Sequence, residues 1–564
     1  MLGGAIRRAG GVLTEPHIRS GLALGIAAAA ESYQPSLMDR PRTDQALVVA
    51  ASATTAYCAG SFIGRVGRGL LVPAGRTSAR LPSRGSRMAA DAAVASTLAL
   101  ALVALLRSSL ARYDADGRRR PTGPDVAWSL GVGTGIAAAA GGSVVASRTT
   151  ASILAQRLST SFGGSRKLWA PLTSAAIAGA ASMAGRAAAH SVLSGIAASN
   201  RRTESRYADP PATSSVSGSP DSAVRFEDLG LQGRRYVSDA PTAHQIDELL
   251  GEVGAKNPVR VYVGVASAGT VEGRVALAIR ELRRTAAFDR SLLIIGSPAG
   301  TGYFNPIPIE AAEYLARGDI ASVAIQYGSL PSMLSTSKAP IAIEQHAALL
   351  RAVAGELATR EAANRPRVVL YGESLGAQTS QGAFVGRGTR GLEELGVDRA
   401  LWVGTPHASS WRREVFADGA DVDREQFGCF SSIDDYAALP AGERGQLRYF
   451  FLDHHEDPVT LFSPEIAYRR PRWLGPPESR PPNVSRTQRW VPLVTFWQTA
   501  IDTKNAATVV PGEFKAFGHD YRADLAAFVR VAYGLDRVTA EQMRRIEARL
   551  RASEIERAAR IADG

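Results

Sequence analysis

The chain has 564 residues, a formal net charge of +12 at pH 7, two cysteines and 45% hydrophobic residues. Because a domain averages ~150 residues, we expect at least two domains. Two cysteines exclude a disulfide-rich scaffold and a zinc site of four cysteines. The 55 glycines, 30 prolines and 21% charged residues exclude a coiled coil and an acidic disordered chain.

The positive charge is concentrated in the first third of the chain. Residues 1–206 contain 24 Lys and Arg against 9 Asp and Glu, whereas the remainder contains 41 against 44. The arginines flank long apolar runs without interleaved aromatic residues, which disfavours a nucleic-acid-binding arm. Arginines placed in this way are typical of loops near phospholipid headgroups. We therefore expect a lipid bilayer as a partner and no nucleic acid.

Five apolar runs predict an all-α transmembrane region over residues 1–199. A span needs ~20 apolar residues, and Val126–Ala146 has neither a charge nor the polar stripe of a soluble helix. The other runs are Ile18–Leu37, Ala46–Gly64, Ala89–Leu106 and Leu168–Ala198. Because two runs meet the length well and three marginally, we predict four or five spans and a multi-pass protein of the cell membrane.

A stretch rich in Pro, Ser and Asp predicts a flexible linker over residues 200–225. Beyond it, residues 226–538 alternate apolar strands with amphipathic helices, which predicts a mostly parallel, doubly wound α/β domain. The predicted strands are Val259–Val265, Ser291–Ile295, Ile320–Gln326, Val368–Gly372, Ala400–Gly404 and Leu447–Asp453. Residues 539–564 form a charged C-terminal helix in this interpretation.

A glycine-flanked serine directly follows one of these strands. The sequence Gly372-Glu373-Ser374-Leu375-Gly376 stands between a β-branched strand and a helical run. A serine on such a sharp turn exposes its Oγ as a nucleophile, and the flanking glycines permit the crowded backbone. An ordinary Gly/Ser turn is the alternative, but the strand before and the helix after favour a nucleophile.

A serine nucleophile needs a base and an acid that orients it, in the chain order Ser, acid, His for this kind of sheet. Of the eight histidines, His519 lies in a loop before the last helical segment. Asp457 follows a late strand and is the predicted acid, with Asp453 and Glu456 as rivals. We therefore predict a triad of Ser374, Asp457 and His519.

The oxyanion that develops during acyl transfer needs two backbone donors. Leu375 N–H is the first candidate. The second is expected from the loop after Ser291–Ile295, where Ala299, Gly300 and Thr301 are equal candidates because Pro298 has no N–H. No metal-ligand spacing, phosphate-cradling loop or dinucleotide fingerprint occurs, so we predict neither a cofactor nor a metal.

Several segments carry a resemblance to a known family. They include PAGTGYFNP at 298–306, GESLGA at 372–377, HHEDPV at 454–459 and FGHDY at 517–521. Together they resemble the actinobacterial membrane-anchored α/β-hydrolase family, which has a hydrophobic N-terminal transmembrane region. The resemblance covers essentially the whole chain, and it implies the α/β-hydrolase fold and the triad Ser374–Asp457–His519, but little about the substrate.

The sequence thus predicts a membrane-tethered serine hydrolase that cleaves an acyl ester, with a lipid or cell-envelope ester as one candidate. The aromatic stretch Thr460–Thr499 fits either a cap over an apolar pocket or core packing. One alternative is a catalytically silent scaffold or interaction protein in the membrane. Another is a transporter-like protein, for which Glu31 and Asp91 would be the intramembrane charges.

Overall fold

The computed structural model describes residues 15–71, 84–199, 204–420, 422–506 and 508–562. Its helices are α1 Pro16–Glu31, α2 Arg42–Leu71, α3 Arg84–Ala115, α4 Gly123–Phe162, α5 Arg166–Ser199, α6 Gly230–Ser238, α7 Ala243–Leu250, α8 Val271–Arg284, α9 Pro306–Leu315, α10 Ala339–Ala358, α11 Leu375–Gly382, α12 Arg390–Glu394, α13 Ser410–Val415, α14 Ile433–Ala437, α15 Ala441–Gln446, α16 Pro458–Leu461, α17 Val494–Ala506, α18 Arg522–Tyr533 and α19 Ala540–Ala562. Its strands are β1 Val259–Val263, β2 Leu292–Ser297, β3 Ile320–Ile325, β4 Arg367–Glu373, β5 Val397–Val403, β6 Phe427–Phe430 and β7 Tyr449–Leu452.

The chain divides into two compact units, and each unit is formed by two separate stretches of the sequence. The first unit comprises Met1–Ala187 together with Phe462–Asn505, and the second comprises Ala188–Leu461 together with Ala506–Gly564. The aromatic segment inside the predicted α/β domain therefore folds with the N-terminal helices. We call Phe462–Asn505 the insertion.

Three helices of the first unit are long and apolar enough to cross a membrane. They are Arg42–Val66, Met88–Ala115 and Gly123–Phe162, as found among the described residues. They contain three of the five predicted runs. Helix α1 has 16 residues, fewer than the ~20 that a span needs, and α5 is not among the three. The predicted number of four or five spans therefore exceeds the three suitable helices found among the described residues.

The insertion is bound by buried polar groups to the loop between α1 and α2. The Gln34 side chain donates to Arg489 O at 3.0 Å and accepts from Arg489 N–H at 2.8 Å. Gln498 Nε2 donates to Ser32 O at 3.0 Å. The fully buried Asp502 accepts from the Ser36 hydroxyl. Because buried polar groups are costly when unpaired, these contacts fix how the insertion packs within the first unit.

The second unit is built on a seven-stranded sheet in the order β1-β3-β2-β4-β5-β7-β6. All neighbouring strands pair in parallel, which confirms the predicted α/β fold. The strands β1, β2 and β3 are buried along their whole length, as expected for a sheet with helices on both faces. The sequence missed β6, a strand of four residues at the sheet edge.

Part of the predicted flexible linker is packed against the sheet. Val216 pairs in parallel with Arg260, and Ser217 N–H donates to Arg260 O at 3.0 Å. The buried Glu281 carboxylate accepts from the Ser217 and Ser222 hydroxyls at 3.0 and 2.9 Å. The segment differs from the prediction because β1 is an edge strand, whose free backbone groups can pair with a further segment.

Candidate active site

Ser374 lies on a strained turn between β4 and α11. Its backbone has φ 57° and ψ −126°, a region that costs a non-glycine residue ~1–3 kcal/mol and is typical of functional sites. A Cβ on Gly372 would lie 2.7 Å from Gly376 O, and a Cβ on Gly376 would lie 2.2 Å from Ser297 O. Both glycines are therefore required for the close approach of β2, β4 and α11. The half-buried Ser374 stands at the carboxyl edge of the sheet.

His519 and Asp457 are hydrogen-bonded. His519 Nδ1–H donates to Asp457 Oδ2 at 2.6 Å, and the two side chains are 8% and 0% exposed. The Asp457 carboxylate also accepts from Val459 N–H at 2.8 Å. Asp457 is thus arranged to hold the His519 ring in the tautomer that leaves Nε2 free to accept a proton.

The two rival carboxylates have other partners. Asp453 accepts from Thr405 N–H at 2.8 Å and pairs with Arg412 at 2.7 Å. Glu456 accepts from Gly518 N–H at 3.2 Å. Asp453 therefore holds the loop after β5, and Glu456 holds the loop that carries the histidine. Asp457 is the one of the three carboxylates that hydrogen-bonds to the histidine.

The end of β5 lies between Ser374 and His519. Ser374 N–H donates to Val403 O at 2.9 Å, and Gly404, the next residue, has φ +56°. A Cβ on Gly404 would lie 2.4 Å from His519 Cε1. Since both residues border the same short piece of backbone, Ser374 and His519 share one edge of the sheet.

The other ring nitrogen of His519 is available. His519 Nε2 is buried and has no hydrogen-bond partner in the described part of the chain, so the Ser374 hydroxyl is not bonded to it here. Catalytic hydrogen bonds often tighten only when the substrate binds. Nε2 is therefore the atom at which a proton could be accepted.

The electrostatic surroundings favour a protonated His519. Burial by itself lowers the pKa of His519, but the charge of Asp457 and the hydrogen bond to it outweigh burial, so the pKa is raised above 6.5. Glu373 and Asp453 act in the same direction. Such neighbouring negative charges stabilise an imidazolium, which is the charge that a general base acquires.

Glu373 connects the nucleophile strand to the loop after β2. Its Oε2 accepts from Asn305 Nδ2 at 2.7 Å and from the Tyr371 hydroxyl at 2.6 Å. The Asn305 side chain also accepts from Ile307 N–H at 3.0 Å, at the first turn of α9. The charged residue beside the serine thus holds the loop that was predicted to supply an oxyanion donor.

Leu375 begins α11 directly after the serine. The first N–H groups of a helix have no partner within the helix, and they favour negative charge. The buried Leu375 side chain packs with Tyr327, Ala339 and Ala342. This packing fixes the first turn of α11, to which the Leu375 N–H belongs.

The three loop candidates differ in their bonding. Ala299 N–H donates to Tyr303 O at 2.8 Å, and Gly300 N–H donates to Ser332 Oγ at 3.3 Å. Within the described ranges, the Thr301 N–H has no backbone acceptor. In this conformation two of the three predicted donors therefore have partners of their own. The Thr301 N–H could therefore donate to a ligand without first giving up an existing hydrogen bond.

The loop that carries His519 is held by His454 and Glu456, a role that the sequence analysis gave to neither residue. His454 Nδ1–H donates to Gly518 O at 2.8 Å, and Glu456 accepts from Gly518 N–H. Both backbone groups of the residue before His519 are thus fixed. Among the described residues, no group of three or more His, Cys, Asp or Glu side chains is placed to hold a metal ion.

Comparisons with known proteins agree with this architecture. A family model described as an alpha/beta-hydrolase family matches residues 259–546. A second, described as the N-terminus of an alpha/beta-hydrolase family, matches residues 34–241. No curated protein and no solved structure matches the chain. The matches include the sheet, the predicted site residues and most of the apolar region.

Proposed function

Since the chain belongs to the alpha/beta-hydrolase family, we propose that it is a membrane-tethered serine hydrolase that cleaves an ester or a related acyl bond. The observation that carries the proposal is the 2.6 Å hydrogen bond between His519 and Asp457, at the sheet edge that also presents the strained Ser374 turn. Membership of the actinobacterial, membrane-anchored group within this family remains a prediction from the resemblance.

In the proposed mechanism, Ser374 Oγ attacks the acyl carbonyl and His519 Nε2 takes its proton. Asp457 keeps the His519 proton on Nδ1 and stabilises the imidazolium. His519 then gives the proton to the leaving group. In the second half, His519 Nε2 takes a proton from water as that water attacks the acyl carbonyl. The bond between the acyl carbon and Ser374 Oγ then breaks, the proton returns to Ser374 Oγ and the acid is released, so no cofactor is needed.

The tetrahedral intermediate carries a negative oxygen that needs donors. Leu375 N–H is the first, and Thr301 is the loop residue whose N–H is free to be the second. Each such donor is typically worth ~3 kcal/mol in the transition state. Use of Ala299 or Gly300 would require the loop to give up the bonds described above.

The apolar helices support a tether and bear on the substrate class. Three described helices are long and apolar enough to cross a membrane, and we propose that the protein is a multi-pass protein of the cell membrane. A hydrolase held at a bilayer meets acyl lipids at high local concentration. Lipid or cell-envelope esters are therefore the proposed substrates, and the bilayer is the proposed partner.

Labelling of the full-length protein by a fluorophosphonate tests the nucleophile. The label should be present in the wild type and in Ser410→Ala, which changes an exposed serine of the same unit, and absent in Ser374→Ala. Labelling that persists in Ser374→Ala would assign another nucleophile. No labelling of the folded wild type would favour the silent scaffold.

Esters of graded acyl length test the substrate class. Turnover should rise with chain length and when the ester is presented in vesicles. If the protein hydrolysed only short, soluble esters, the lipid proposal would be wrong while the serine hydrolase proposal would stand.

A further inference from the structure

The carboxylate oxygen that holds His519 has a second donor. Asp457 Oδ2 accepts from His519 Nδ1–H and from the Tyr521 hydroxyl, both at 2.6 Å. Val459 N–H occupies Oδ1 at 2.8 Å. Asp457 is fully buried and Tyr521 is 1% exposed. The Tyr521 hydroxyl therefore donates a hydrogen bond to the same Asp457 oxygen that holds His519, the proposed base.

The direction of the Tyr521 hydrogen bond is determined by its other contact. His454 N–H donates to the Tyr521 oxygen at 3.0 Å, so the hydroxyl hydrogen is left for Asp457. Burial, followed by the charge of Asp457, raises the pKa of Tyr521 well above its ordinary value. The phenol thus stays protonated and can remain a donor.

The Tyr521 ring is fixed on both sides. It stacks on His454 with ring centres 4.2 Å apart and planes at 21°. It meets His519 edge to face, with centres 5.5 Å apart and planes at 83°. A phenylalanine at this position would keep the ring contacts and lose the hydroxyl together with its bonds to Asp457 and to His454 N–H. The hydrogen bonds can therefore be removed while the packing is kept.

We propose that Tyr521 is a positioning residue that sets the basicity of His519 through Asp457, an inference that rests on the proposed function. A donor on Oδ2 withdraws negative charge from the oxygen that binds the imidazolium. Without the hydroxyl, the full charge of Asp457 acts on His519. The His519 imidazolium then becomes more stable, and a higher pH is needed to free Nε2 for catalysis.

The test is the pH profile of kcat/KM for the full-length Tyr521→Phe variant. We expect the midpoint of the acidic limb to move upward by about one pH unit. The matched control is Tyr533→Phe, because Tyr533 is equally buried on α18 and donates to Leu370 O at 2.9 Å. Its profile should keep the wild-type midpoint, even if its thermal stability falls.

Two further measurements keep the inference testable if Tyr521→Phe folds poorly or the wild type shows no esterase activity. A fluorinated tyrosine at position 521 is a stronger donor and should move the midpoint downward. NMR titration of His519, in protein with isotope-labelled histidine, follows the same shifts without turnover. An unchanged His519 titration in both variants would overturn the role of Tyr521. If the wild-type protein showed neither ester hydrolysis nor fluorophosphonate labelling, the proposed function would be overturned instead.

Discussion

The replacement Gly404→Ala should impair the proposed active site without changing any triad residue. Gly404 directly follows β5 and has φ +56°, and an added Cβ would lie 2.4 Å from His519 Cε1 and 2.8 Å from His519 Nδ1. Ordinary carbon contacts begin near 3.4 Å, so the ring must move by about 1 Å. The nearest movable atoms thus belong to the imidazole that Asp457 holds.

Two effects of this replacement can be separated by magnitude. The left-handed backbone costs an alanine ~1–2 kcal/mol, which lowers the melting temperature by a few degrees. The displaced ring affects catalysis more strongly, because a misplacement of ~1 Å can reduce the rate by ~100-fold. We therefore expect a mild loss of stability and a severe loss of kcat/KM.

The matched control is Gly396→Ala at the other end of β5. Gly396 has φ +68°, and a Cβ there would meet no atom within 4 Å. Both variants bear the backbone cost, but only Gly404→Ala reaches His519. The assays are thermal unfolding, ester hydrolysis and the rate of fluorophosphonate labelling. Equal losses of activity in the two variants would refute the reasoning.

Three further predictions concern other parts of the molecule. Because the pKa of His519 is raised and the base must be neutral, activity should fall with decreasing pH at a midpoint above 6.5; a pH profile with a lower midpoint would contradict this. Asp502→Ala leaves Arg40, whose side chain is 3% exposed, without its carboxylate at 3.4 Å. This should destabilise the first unit by ~3–5 kcal/mol. Thermal unfolding in detergent measures the effect, and Asp502→Asn should be the milder variant. An alanine variant that melted like the wild type would show the prediction to be wrong. Gly376→Ala places a Cβ 2.2 Å from Ser297 O, so little folded protein should be recovered on size-exclusion chromatography, and a normal yield would count against the required close approach.

Most of the sheet could be predicted because its signal is local. Strands such as Leu292–Ser297 and Arg367–Glu373 are apolar runs bounded by turn residues, and burial on both faces requires such runs. The strand Phe427–Phe430 is too short for this signal and contains Gly428. Only its pairing with Tyr449–Leu452 identifies it as a strand.

The parts of the site also differ in predictability, because some depend on neighbouring residues and others on residues that are remote in the sequence. The Ser374 turn could be predicted because its glycines are neighbours in sequence. The choice among Asp453, Glu456 and Asp457 depends on contacts with remote residues, such as the pairing of Asp453 with Arg412. The sequence predicted Asp457 from its position after β7, with two rivals left open, and the contacts that occupy those rivals are visible only in the folded chain.

The insertion was the least predictable segment. Its aromatic residues fitted a cap or a core, whereas in the structure buried polar side chains such as Gln498 and Asp502 also fix its packing. Their partners, among them Ser32 and Ser36, lie more than 460 positions away in the sequence. No periodicity carries information over such a separation, so the composition indicated burial but not the partner.

The loop of Asp457 and the loop of His519 are joined by hydrogen bonds although they are far apart in the sequence. The chain leaves the second unit after Leu461 and returns at Ala506, so most of the residues between the proposed acid and base fold with the first unit. Five hydrogen bonds join the two loops directly, and at ~1 kcal/mol each they contribute about 5 kcal/mol to holding the loops together. The acid–base pair is therefore held by its own loops, and the charged sequence around Asp457 is what makes a long insertion compatible with an ordered site.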